Sequence, residues 1–105
     1  MAHLCNGTLI VEAVTTSGRA AAVYFRPAPR TVQIWYAERC MAELEKADLF
    51  RLLRSPGQRL LVSRVELRSE SPALVSITLD DVHDWELSPA EAAALSAFAD
   101  HLVTA

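Results

Sequence analysis

The strongest constraint in this chain is a period of two. "AAVYFRP" (21–27) puts Val23 and Phe25 on one side and Tyr24 and Arg26 on the other. "TVQIWYAE" (31–38) resumes the pattern, with Val32, Ile34 and Tyr36 facing inward and Thr31, Gln33 and Trp35 facing outward. Successive side chains of a strand point to opposite faces, so this alternation marks strands with one buried and one solvated face. Pro27-Ala28-Pro29-Arg30 separates the two segments, because proline lacks the N–H a ladder needs and restricts the residue before it. "TLIVEAVTT" (8–16), rich in β-branched residues and followed by Ser17-Gly18, supplies a strand ahead of them. Three strands joined by short turns predict an antiparallel meander.

Residues 38–48 admit two patterns. "RCMAELEKA" holds good helix formers, yet Cys40, Ala42 and Leu44 also alternate. "ADLFRLLRSPG" is clearer: Asp48 is placed to cap a short helix, Leu49, Phe50, Leu52 and Leu53 form its apolar side, and Ser55-Pro56-Gly57 stops it. A helix ending near Ser55 is expected, with its start left between Glu38 and Asp48. "QRLLVSRVELRSE" (58–70) reads as one strand, with Leu61, Val65 and Leu67 on one side and Arg64, Glu66 and Arg68 on the other. A turn over Ser69–Pro72 leads to "ALVSITL" (73–79), where Val75, Ile77 and Leu79 point inward. Ser88-Pro89-Ala90-Glu91 is a capping box with proline at the first helical position. Leu95, Phe98, Ala99 and Leu102 then form one stripe, predicting an amphipathic helix over Pro89–Val103. The order βββ-α-ββ-α gives an α+β fold: one antiparallel sheet of about five strands with the helices packed on one face, in a single domain over 1–105. No internal repeat or low-complexity linker divides it. This sheet-then-helix layout is loosely similar to that of small single-strand-binding transcription cofactors, without a motif that matches residue by residue.

The chain is 51% hydrophobic and 22% charged, which suits a globular core and is too apolar for disorder. Its longest stretch without Asp, Glu, Lys or Arg, Met1–Val11, is too short and polar to span a bilayer, and no basic segment followed by an apolar one marks a secretory signal. A cytoplasmic location without membrane partners is expected. Cys5 and Cys40 have no CxxC pattern and no His at ligand spacing, so two free, buried or half-buried thiols are expected. Nine of the ten basic residues are Arg, the usage of a GC-rich bacterial genome. The net charge of −3 is uneven: Arg19–Arg68 holds all ten bases against five acids, and the remainder holds eight acids and no base. Such polarity steers partners or helps copies associate.

"ITLDDVHDWELSPAE" (77–91) looks most like chemistry, with Asp80, Asp81, His83 and Asp84 within five positions. Adjacent carboxylates on a strand face opposite sides, so Asp80 and Asp81 do not form a dyad. A zinc or iron site wants two His plus a carboxylate, and His3 and His101 lie in terminal regions. Acids crowd here because a helix N-terminus favours them, and DVHDWEL is expected to be a connection anchored by Trp85 and Leu87. No nucleophile motif and no glycine-rich phosphate loop occurs, so no catalytic residue, metal ligand or cofactor is assigned. The more informative feature is the outer sheet face, expected to present Tyr24, Arg26, Gln33, Trp35, Arg64 and Arg68 together. The leading expectation is a non-catalytic bacterial accessory or regulatory protein that binds a protein partner, as a homodimer through the sheet. The alternative is a single-stranded nucleic-acid-binding module on the same face, where aromatics stack bases and arginines track phosphates. A small enzyme with a site near His83, Asp84, Asp80 and His101 stands third.

Overall fold

The computed structural model describes residues 2–14, 20–55, 57–71, 74–79 and 83–104. Ser17-Gly18, Pro56, Pro72 and the Asp80-Asp81 pair lie outside these residues. Five strands run as an antiparallel meander in chain order: β1 (Ala2–Cys5), β2 (Thr8–Val14), β3 (Ala20–Pro27), β4 (Thr31–Tyr36) and β5 (Arg39–Glu45). Helix α1 (Lys46–Arg54) follows. A second antiparallel meander comprises β6 (Gln58–Val62), β7 (Val65–Ser71), β8 (Leu74–Leu79) and β9 (His83–Glu86), and α2 (Pro89–Thr104) ends the described chain. The class is therefore α+β with antiparallel pairing, but the single sheet in the order βββ-α-ββ-α is replaced by two sheets, each followed by its helix. Among the described residues no helix is long and apolar enough to cross a membrane.

Turn chemistry accounts for the extra strands. Asn6 and Gly7 both take positive φ (52° and 83°), the two-residue type I′ geometry whose twist matches a hairpin, and this pairs β1 with β2. Ser63, at φ 53°, breaks residues 58–70 into the β6–β7 hairpin where one strand was expected. The reversal shifts the phase of the first segment: Leu60 and Val62 pack on the core, while Leu61 is 66% exposed. In the second segment Val65 and Leu67 are buried as expected.

Residues 39–45 resolve as strand, not helix. Ile34 pairs with Ala42 and Trp35 with Cys40, which leaves Met41 as the extra residue of a β-bulge. The bulge lets Met41 and Ala42 face the core in succession, followed by Leu44, and all three are buried. Tertiary pairing against β4 thereby overrides the helix propensity of "MAELEK". Helix α1 starts at Lys46 with Glu45 at its N-cap and no side-chain cap, and Asp48, expected to cap, sits inside the first turn beside Arg51. The capping box of α2 forms as expected: the Ser88 N–H donates to Glu91 Oε1 (2.8 Å), and the Glu91 N–H donates to Ser88 Oγ (3.1 Å).

One core joins both sheets. Leu9, Val11, Val23, Phe25, Val32 and Ile34 line the first sheet's inner face; Val65, Leu67, Val75, Ile77, Leu79 and Trp85 line the second. The helices pack on each other and cross between halves: α1 lies against β6 and β7 as well as β5, and α2 lies against β1 and β2 as well as β8. Arg54 of α1 is ion-paired with Asp100 of α2. Tyr36 at the end of β4 meets Trp85 of β9 edge-on, with centroids 5.2 Å apart, so the two meanders also touch directly. The outer face of the first sheet therefore points away from the helices and the core.

Candidate binding face

On that outer face the register lines up His3, Ile10, Tyr24, Trp35 and Cys40, one residue from each of the five strands. Alternation explains the three central members of the row, which are flanked by the inward neighbours Leu9 and Val11, Val23 and Phe25, and Ile34 and Tyr36. Tyr24 and Trp35 are direct cross-strand partners on this face. Tyr24 is 42% exposed and Trp35 is half-buried, so the indole is not enclosed in the chain's own interior.

The indole is held in place. Its Nε1–H donates to Gln33 Oε1 (3.0 Å), Gln33 Nε2 donates to Glu43 Oε2 (3.4 Å), and Thr31 Oγ1 donates to the same carboxylate oxygen (2.6 Å). The Arg26 guanidinium carbon stands 6.0 Å from the indole centroid, within cation–π range. Trp35 is thus a preorganised anchor that loses little side-chain entropy when something packs on it.

The face is concave. A hollow of about 840 Å³ is lined by Ile10, Tyr24, Arg26 and Trp35 from the strands, by Cys5 and Asn6 at the β1–β2 turn, and by Ala37 and Glu38 at the β4–β5 turn. That volume lies in the range of small-molecule pockets. Ala37 and Glu38 both take positive φ (51° and 63°) without a glycine. Cys5 and Cys40 are free and exposed on this side, which corrects the expectation of buried or half-buried thiols. The bulge at Met41 turns Cys40 outward, and Cys5 ends a short edge strand.

Tyr24, Arg26, Gln33 and Trp35 come together as expected, but Arg64 and Arg68 do not join them. Arg64 lies in the β6–β7 turn, and Arg68 lies on β7 in the second sheet. Arg68 sits between Glu66 (3.4 Å) and Asp84 (3.8 Å), and Glu66 also approaches Arg59 (3.8 Å). Arg68 is therefore engaged with carboxylates of its own sheet. The residues missed in the sequence are Ile10 and Glu38. Ile10 was legible from its buried neighbours Leu9 and Val11; Glu38 required the β4–β5 hairpin.

The acidic stretch is placed in part. Residues 83–86 form β9, where a connection was expected, with Trp85 and Leu87 buried as anchors. Asp84 accepts a hydrogen bond from Thr78 Oγ1 (3.1 Å) on the outer face of the second sheet, and His101 is exposed on α2. Among the described residues no group of three or more His, Cys, Asp and Glu gathers for a metal ion. Burial works to raise the Glu91 carboxyl, and hydrogen bonding, from Ser88 among others, outweighs it, so this group lies below its ordinary value. Its role is structural, at the start of α2. No protein-family model, no curated protein and no solved structure matches the chain.

Proposed function

We propose that this chain is a non-catalytic accessory or regulatory protein of the bacterial cytoplasm that works by binding protein, and that it associates with a second copy of itself through the hollow outer face of the five-stranded sheet. One observation carries this: Tyr24 and Trp35, opposite each other on central strands, stand on the side of the sheet that neither helix covers. Rigid aromatic residues beside an arginine are what dominate the energetics of protein interfaces. The charges around them are mixed, with Arg26 set against Glu12, Glu38, Glu43 and Glu45. Mixed charge suits a self-complementary surface and gives a polyanion no continuous cationic track. The displacement of Arg64 and Arg68 to the other sheet weakens the nucleic-acid alternative in the same way. Free, exposed thiols are at home in a reducing compartment.

Sedimentation equilibrium of the Trp35→Ala variant tests the proposal. Loss of a central anchor costs about 2 kcal/mol or more, so the dissociation constant is expected to rise at least about thirty-fold. A dimer that tolerates the change refutes this face. A single-stranded oligonucleotide that binds with affinity falling steeply with salt would instead favour the nucleic-acid role.

A further inference from the structure

Resting on self-association through this face, the geometry points to Arg26 and Glu38 as a reciprocal charge pair between two copies of the chain. Both line the hollow. Among the described residues Arg26, like Arg30 and Arg39, has no carboxylate in ion-pair range, whereas Arg51, Arg54, Arg59 and Arg68 each have at least one. Its neighbour is the Trp35 ring, which holds it in place without neutralising it. Glu38 is exposed at the tip of the β4–β5 hairpin and likewise has no cation in ion-pair range among the described residues. One recess is thus lined by both an unpaired cation and an unpaired anion.

Two such recesses placed mouth to mouth would enclose a void, which close-packed interfaces avoid. A two-fold arrangement that seats each hairpin tip in the other copy's hollow fills both. It brings Glu38 to Arg26 of the partner subunit, and symmetry makes the same contact a second time. The turn itself supports this. Asn-Gly would adopt the left-handed pair without strain, as Asn6-Gly7 does in the first hairpin, but it would remove the carboxylate. Strain retained in a turn that lines the recess, on a residue with no partner in its own chain, is what an intermolecular contact explains.

Sedimentation velocity on Arg26→Glu, on Glu38→Arg and on their equimolar mixture tests the pair. Each variant alone faces like charges twice and is expected to dissociate at least about thirty-fold more readily than the parent chain. In the mixture each copy supplies what the other lacks, so a heterodimer is expected to recover to within about three-fold of parental affinity. A rescue within one chain cannot imitate that result. Unchanged single variants, or a mixture that stays dissociated, overturn the pair while leaving self-association standing. A parent chain that remains monomeric at high concentration overturns both. Should either reversal unfold the chain, as its thermal melt would reveal, Arg26→Gln and Glu38→Gln replace them, and each is expected to weaken association; two neutral variants that dimerise like the parent refute the pair.

Discussion

Ala37 and Glu38 carry the most local strain among the described residues, two consecutive non-glycine residues at φ 51° and 63°. The left-handed region costs an L-residue about 1–2 kcal/mol through the approach of Cβ to the following carbonyl. Ala37→Gly removes that clash and leaves Glu38 in place, so it should stabilise the fold by about 1 kcal/mol and raise the melting midpoint by roughly 4–8 °C. A lower midpoint would show that the turn is unstrained. Glu91 offers a second check at this scale. Its carboxyl sits below the ordinary value when folded, so its contribution is fully present above the ordinary glutamate range. That contribution is lost as pH falls from there through the lowered value. Ser88→Ala removes one half of the reciprocal cap and should cost about 1 kcal/mol near neutrality. The gap between the variant and the parent should narrow in acid; a gap that widens as pH falls contradicts the assignment.

Each element is held by its inward residues, and the two tryptophans mark the contrast. Trp85 on β9 is 2% exposed and packs edge-on against Tyr36, so Trp85→Ala should cost about 3–5 kcal/mol through lost burial and a residual cavity. That is a large share of a stability of roughly 5–15 kcal/mol for a domain of this size. Trp35→Ala, on the outer face, should leave the fold's cooperative melt intact. Chemical denaturation of the two variants, followed by circular dichroism in the monomer range, separates the roles. Equal losses would mean that Trp35 is a core residue after all.

For the whole molecule, the class and the last helix were legible because their signals are local. Alternation over 21–27 and 31–36 and the Ser88–Glu91 box depend only on nearby residues, and both forms are present. The strand expected over 31–38 stops at Tyr36, where the hairpin turn begins. What escaped depends on pairing at a distance or on turns that carry weak signals. Ser63-Arg64 has no glycine or proline to announce a hairpin, so 58–70 passed as one strand. The bulge at Met41 broke the alternation that would have marked β5, leaving helix propensity to compete. Asn6-Gly7 did carry a strong hairpin signal, but the first expected strand begins only at Thr8 and so leaves out both that turn and β1. The site followed the same division. Tyr24, Arg26, Gln33 and Trp35 lie on paired neighbours and share a face, while Arg64 and Arg68 depended on the number of sheets.

Whether the face that carries Tyr24 and Trp35 is covered by a second copy is decided most directly by the mass of the chain in solution. Light scattering on the eluting peak should give twice the 11.5 kDa chain mass at micromolar concentration, falling toward one chain mass on dilution and for Trp35→Ala. A single chain mass at every concentration would contradict the account.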